Sequence, residues 1–249
     1  MDFVQSLERG LAVIRSFDSE HPDLTLSEVA ARTGLTRATA RRLLLTLGEL
    51  GYVSIDGRRF SLTPQVLDIG YAYLSSLNVQ QIAQPYLEAL SERVHESVSV
   101  TVLDGADIVY VARVPTKRIM TISLGLGSRL PAYCTSMGRV LLAELAPEHL
   151  AGALPEPLER HTEHTVTSAA DLTVVLKQVR AQGWAIVDQE LEMGLRSVAA
   201  PLRDSSGRAV AAMNVSTQVA RTPMDELHER FVPELVTTAG HISEALAKK

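Results

Sequence analysis

The sequence predicts an α+β protein: a winged helix-turn-helix over residues 1–63, a linker helix over 64–77, and a domain over 78–249 with a mainly antiparallel sheet flanked by helices. Three observations predict this. A capped helix, a turn, an arginine-bearing helix and a basic hairpin follow one another before residue 60, the element order of a winged helix-turn-helix. Thr63-Pro64 then reads as an N-cap with proline at the first helical position. Beyond residue 78, strand-like alternation is interrupted by helical periods, which suits a sheet with helices on its faces.

Val4, Leu7, Leu11 and Ile14 mark an amphipathic first helix. Thr25-Leu26-Ser27-Glu28 is a capping box, in which hydroxyl and carboxylate each take one free N–H of the first turn. Leu26, Val29 and Ala30 give that helix an apolar face, and Gly34 ends it in a left-handed conformation. Thr36 caps the next helix, whose core face is Ala40, Leu43, Leu44 and Leu47, with Gly51 continuing the same spacing. Asp56-Gly57 is a hairpin turn after Tyr52-Val53-Ser54-Ile55.

The opposite helical face carries Ala38, Arg41, Arg42 and Leu45, with Thr36, Arg37 and Thr39 at the start of the helix. Arginine can hold guanine O6 and N7 with two hydrogen bonds or clamp a phosphate. Arg58 and Arg59 in the hairpin suit backbone or minor-groove contact. Thr36, Arg37, Ala38, Thr39, Arg41, Arg42, Arg58 and Arg59 are therefore the candidate contacts to double-stranded operator DNA. The whole chain carries a net charge of −5, yet residues 32–60 hold six arginines against Glu49 and Asp56, a local excess of +4. Acidity elsewhere suits a protein that must release nucleic acid, not one that packages it.

In the linker helix, Val66, Leu67, Ile69, Tyr71, Tyr73, Leu74 and Leu77 spread over more than one face. One face suits the wing and a second suits a partner subunit, which predicts a homodimer on paired half-sites. Residues 80–95 read as a helix through Ile82, Ala83, Leu87 and Leu90. Val98, Val100 and Val102 alternate with Ser97, Ser99 and Thr101, a strand with one polar face. Strands are expected at 107–114, 118–124, 184–188, 196–202 and 209–217, helices at 135–145 and 171–182, and a closing helix over 223–247.

At 249 residues, 46% hydrophobic and 21% charged, both parts can bury a core. No apolar run approaches the roughly 18 residues of a membrane helix, and the N-terminus has no apolar secretory region. The lone Cys134 allows no internal disulfide and fits a reducing cytoplasm. There is no G-x-S-x-G elbow, P-loop or complete dinucleotide fingerprint; Gly125-Leu126-Gly127-Ser128-Arg129-Leu130 lacks the third glycine. His161, Glu163 and His164 beside Pro155 and Pro157 read as a solvated loop and not a metal site. No cofactor and no metal are expected. An enzyme acting on a small aromatic acid would need catalysis without a recognisable motif.

Over essentially its whole length the chain resembles the IclR family of transcriptional regulators. The residues that carry this are Arg41-Arg42-Leu43-Leu44, Leu50-Gly51-Tyr52 and Thr135-Ser136-Met137-Gly138-Arg139-Val140-Leu141-Leu142-Ala143. Asp188-Gln189-Glu190, the run 194–201 from Gly194 to Pro201, and Asn214-Val215-Ser216 add to them. Val111-Ala112-Arg113-Val114-Pro115, the stretch 129–136 and Glu190-Leu191-Glu192-Met193 are similar to regulators of protocatechuate and β-ketoadipate catabolism. The resemblance implies a winged-helix domain, a linker helix and a GAF-like effector domain. It implies dimers that often pair into tetramers, repression or activation with RNA polymerase as a further partner, and small carboxylic acids as effectors. Protocatechuate, 4-hydroxybenzoate or a β-ketoadipate-like acid is the effector so implied, and another small organic acid is the alternative.

The residues point to a carboxylate pocket as well. Ser136 and Met137 begin a helix, where free N–H groups favour an anion. Arg196 is either a bidentate carboxylate partner or the salt-bridge partner of Asp188 or Glu190. Asp188 and Glu190 share a face if their strand continues, and as a pair they would oppose an anion unless neutralised. Ser197, Asn214 and Ser216 are either ligand contacts or polar groups of the sheet, as are Thr121 and Ser123. Tyr133 and Met193 suit the wall around a ring, while Cys134 reads as a small buried residue. By resemblance, Leu195 joins the loop before Ser136, Asp188, Ser197, Asn214 and Ser216 in lining the pocket.

Overall fold

The computed structural model describes residues 3–76, 79–116 and 124–248, apart from the side chains of 72 and 74–76. The expected strand at 118–124, with Thr121 and Ser123, lies outside these residues except for Leu124, and Leu77 lies outside them too. The chain divides into two compact units, Met1–Ser76 and Leu77–Lys249.

The first unit runs α1 (Gln5–Arg15), β1 (Asp23–Thr25), α2 (Leu26–Thr33), α3 (Arg37–Glu49), β2 (Val53–Asp56), β3 (Arg59–Leu62) and α4 (Val66–Ser76). Its sheet has the order β1-β3-β2. The capping box forms: the Thr25 N–H donates to Glu28 Oε2 at 2.7 Å, and Thr25 Oγ1 accepts from the Glu28 N–H at 3.4 Å. Gly34 closes α2 with φ +68°, and Thr36 Oγ1 caps α3 by accepting from the Thr39 N–H at 3.2 Å. The β2–β3 hairpin turns through Gly57, φ +59°, and Arg58, with the glycine at the position a two-residue turn of this hand requires.

Val13, Leu24, Val29, Ala40, Leu44, Val53 and Phe60 form the core of this unit. Each large side chain buried there contributes about 1.5–3 kcal/mol. The expected stripe of α1 divides. Val13 is buried and Ile14 half-buried, while Val4, Leu7 and Leu11 stay exposed with Phe3. Leu67, Ile69, Tyr71 and Tyr73 of α4 are exposed as well.

The second unit opens with α5 (Val79–Val94) and the hairpin β4 (Ser97–Asp104) and β5 (Asp107–Val114), then β6 (Arg129–Pro131). Next come α6 (Ser136–Glu144), α7 (Pro147–Leu150) and α8 (Ala169–Gln182). The strands β7 (Ala185–Asp188), β8 (Leu195–Arg203) and β9 (Ala209–Gln218) precede α9 (Met224–Glu226) and α10 (Val232–Ala247). The sheet order is β6-β5-β4-β9-β8-β7, antiparallel at every pairing. β6 was not expected from sequence.

The pleat assigns two faces. Val98, Val100, Val198, Ala200, Leu202, Met213 and Val215 share the face covered by α5 and α10. Ser97, Ser99 and Thr101, with Ser197, Ala199, Asn214 and Ser216, share the face toward α6, on which α8 packs. The closing helix is broken: Leu227–Phe231 form a wide π turn between α9 and α10. Pro233, which has no N–H to donate, follows directly and accounts for the break.

Candidate functional site

Two candidate sites emerge, one in each unit. In the first, α3 buries Ala40, Leu44 and Leu47 and exposes Arg37, Ala38, Arg41, Arg42, Leu45 and Thr46. Thr36 stands exposed at the cap, and its hydroxyl donates to Thr39 Oγ1 at 3.0 Å. Arg37, Arg41, Arg42 and, in the hairpin, Arg58 are exposed and have no ionic partner among the described residues. Unpaired guanidinium groups on an exposed helix face and an adjoining hairpin form an anion-seeking surface. Arg59 is different. It pairs with Asp23, which lies two residues before its ladder partner Thr25, and so ties the hairpin to β1. The pair leaves the Arg59 side chain 60% exposed on the hairpin.

In the second unit, α6 starts against the sheet face that carries the hydroxyl groups. Thr135 caps the helix by accepting from the Gly138 N–H at 3.3 Å. Gly138 permits the close approach, since a Cβ there would collide with the Ala132 backbone. Ser136 Oγ accepts from Ser197 Oγ of β8 at 2.8 Å, and Met137 Sδ accepts from Thr101 Oγ1 of β4 at 3.4 Å. Asn214 lies on β9, between those strands and diagonal to both contacts. It is 4% exposed. Its Nδ2 donates to Ser216 Oγ at 2.9 Å. Its Oδ1 is buried without a hydrogen-bond partner. A buried acceptor left this way costs roughly 1–3 kcal/mol.

Of the residues expected to line a pocket, Ser136, Met137, Leu195, Ser197, Asn214 and Ser216 share this face or its helix. Three others are placed elsewhere. Arg196 alternates to the opposite face, where Nε and Nη2 hold Asp188 at 2.8 and 2.9 Å and Nη1 donates to the Thr222 carbonyl. Of the two readings of Arg196, the salt bridge to Asp188 is the one formed, and Asp188 is correspondingly neutralised. β7 stops at Asp188, and Gln189 adopts φ +60°, so Glu190 does not share its face. Glu190 instead pairs with Arg139 of α6 at 2.6 Å through both oxygens. Its expected place among the effector contacts is corrected.

Tyr133 is buried; its hydroxyl donates to the Glu159 carbonyl at 2.5 Å and its ring stacks on His161 at 6.1 Å. Burial is the main cause that pushes the Tyr133 hydroxyl up to about 12. Burial also pushes the Cys134 thiol up to about 12, with the Glu190 charge adding to it, so this thiol stays protonated. Met193 is exposed at 53%. Sequence reasoning noted the polar face of β4 but did not place Ser97, Ser99 and Thr101 in the site. All three are buried, on the face that α6 meets. Among the described residues no three His, Cys, Asp or Glu side chains gather as a metal site, and no helix is long and apolar enough to cross a membrane.

A winged helix-turn-helix joined to a sheet domain with a buried polar face defines a DNA-binding regulator with a ligand-sensing domain. Residues 6–57 match the IclR helix-turn-helix domain, and residues 71–244 match the bacterial transcriptional regulator IclR C-terminal domain. The chain belongs to the IclR family of bacterial transcriptional regulators. It is 47% identical to the Pca regulon regulatory protein of Pseudomonas putida, over 98% of this chain and 85% of that one. It is 34% identical to the p-hydroxybenzoate hydroxylase transcriptional activator of Acinetobacter baylyi, over 97% and 91%. A solved transcriptional regulator from Rhodococcus sp. RHA1 is 56% identical and superposes with a TM-score of 0.88 over 99% of both chains.

Proposed function

We propose that this protein regulates genes of aromatic-acid catabolism, binding operator DNA through α3 and the β2–β3 hairpin and a small carboxylic acid at the α6 face. Thr36, Arg37, Ala38, Thr39, Arg41 and Arg42 enter the major groove, and Arg58 meets the backbone. The effector's carboxylate accepts from the Ser136 and Met137 N–H groups, which the Thr135 cap leaves open, and from the Ser136 hydroxyl, which Ser197 orients. Met137 and Leu195 flank it. The exposed apolar side chains of α1 and α4 are covered by a second copy, which presents two winged helices to paired half-sites.

The observation that carries the effector site is Asn214 Oδ1, a buried acceptor without a donor at the centre of a hydroxyl-bearing face. A phenolic hydroxyl would complete it, which favours a hydroxybenzoate. The relationship to a transcriptional activator of p-hydroxybenzoate hydroxylase supports the same class. Binding alters operator affinity because the acid binds one state of the protein more tightly than the other.

Calorimetric titration with 4-hydroxybenzoate, protocatechuate, benzoate and β-ketoadipate tests this. Saturable binding of a hydroxybenzoate, with benzoate weaker, is expected. Binding of β-ketoadipate alone would remove the hydroxyl argument, and binding of none would remove the effector class.

A further inference from the structure

We propose that Arg139 and Glu190 are positioning residues of the effector site: their buried fork fixes the turn leading into α6 and so sets where Ser136 stands. The proposal rests on the effector reading above.

Three segments meet at this pair. Arg139 Nη1 and Nη2 donate to Glu190 Oε1 and Oε2, both at 2.6 Å, and Arg139 Nε donates to the Tyr133 carbonyl at 3.0 Å. Glu190 Oε2 also accepts from the Val166 N–H at 3.1 Å. The Thr162 and Thr165 hydroxyls donate to the Gln189 and Glu190 carbonyls, each at 2.6 Å. Tyr133 reaches back to Glu159 through its own hydroxyl. The segments 133–139, 159–166 and 189–190 are thus tied at one point.

The consequence for the site follows from distance along the helix. Arg139 lies three residues, just under one turn, after Ser136. By taking the Tyr133 carbonyl, its guanidinium orients the peptide that leads through Cys134 and Thr135 to Ser136. That side chain in turn meets Ser197 at 2.8 Å. Gln189, held at φ +60° by its N–H to the Leu195 carbonyl at 2.8 Å, brings Glu190 across to α6. The pair is almost fully buried, with side chains 4% and 9% exposed. Burying two charges costs more desolvation than an apolar pair of similar size, so stability alone is a weak reason for it. A fork in fixed geometry on a main-chain carbonyl is a strong reason, because it sets an orientation that an apolar pair cannot.

The test compares wild type, the double variant Arg139→Met/Glu190→Leu and the single variant Arg139→Lys. Each is assayed for melting temperature, operator affinity and calorimetric affinity for 4-hydroxybenzoate, protocatechuate and β-ketoadipate. The double variant removes both charges and leaves neither unpaired; the lysine keeps charge but cannot hold the carboxylate fork and the Tyr133 carbonyl together. The expected result is melting and operator binding close to wild type, with effector affinity lower by roughly 10–100-fold, as when groups that orient metal ligands are removed. Should the double variant fail to fold, Arg139→Lys decides by the same comparison. Wild-type effector affinity in a folded variant overturns the proposal. Failure of wild type to bind any of the acids overturns the effector reading instead.

Discussion

Arg196 holds Asp188 in a two-pronged contact across β7 and β8, Nε to Oδ1 at 2.8 Å and Nη2 to Oδ2 at 2.9 Å. The arginine is buried on the α10 side of the sheet, and its remaining nitrogen is taken by the Thr222 carbonyl. Thr222 Oγ1 in turn lies 2.6 Å from Thr217 Oγ1, and Thr217 donates to Glu96. The contact therefore joins β7, β8, β9 and the start of β4, and it is a structural element of the sheet.

Arg196→Ala leaves Asp188 unpaired and should lower stability by about 1–3 kcal/mol, less than for a fully buried pair because the Asp188 side chain is 33% exposed. Urea denaturation measures this. Effector affinity in the folded fraction should stay near wild type. Undiminished stability with abolished effector binding would return Arg196 to the ligand.

Arg41→Ala and Arg42→Ala should each weaken operator binding by roughly 1–3 kcal/mol where the side chain contacts a base edge, and flatten the salt dependence where it contacts phosphate. Fluorescence anisotropy over a salt series distinguishes the two. Arg59→Ala should act differently, loosening the hairpin from Asp23, so its loss appears first in thermal stability. Equal effects of all three on the salt slope would place Arg59 on the DNA.

Gly138→Ala should destabilise the second unit by about 1–3 kcal/mol, the usual cost of overpacking. The added methyl group meets the Ala132 main chain, which has no flexible end to give way. Displacement of α6 should also weaken effector binding. A variant as stable as wild type would contradict the close approach.

The Glu28 carboxyl lies below its ordinary value because it accepts from the Thr25 N–H first and the Thr25 hydroxyl second. A carboxyl lowered in the folded state stabilises fully above its unfolded value and loses that contribution as pH falls through the folded one. Glu28→Gln should therefore cost stability at neutral pH, and the gap to wild type should close in acid. A gap that stays constant from neutral to acid pH would mean that the capping box does not act through charge.

The local signals were legible because their causes are local. Thr25 with Glu28, Thr36 as a cap and the Asp56-Gly57 hairpin each act within four residues; the caps formed as expected, and the hairpin formed with its turn one residue later, at Gly57-Arg58. The 107–114 strand likewise formed with the bounds expected from its own residues. Side-chain partnership was not legible. A single left-handed residue, Gln189, separates Asp188 from Glu190 and sends them to different arginines. Period-two reasoning assumes that the strand continues, and here it stops. Ser97, Ser99 and Thr101 read as one polar face with no indication of what meets it, and α6 covers that side of the sheet. The closing helix carries an unbroken apolar pattern, and only the missing N–H of Pro233 marks its wide turn.

The measurement that tests the central claim most directly is operator affinity, read by anisotropy with and without saturating 4-hydroxybenzoate, for wild type and Asn214→Leu. The account predicts that the acid shifts wild-type affinity by about five-fold or more, the range of ordinary allosteric coupling, and leaves Asn214→Leu unmoved at that concentration. An unchanged wild-type affinity, or an equal shift in the variant, would contradict it.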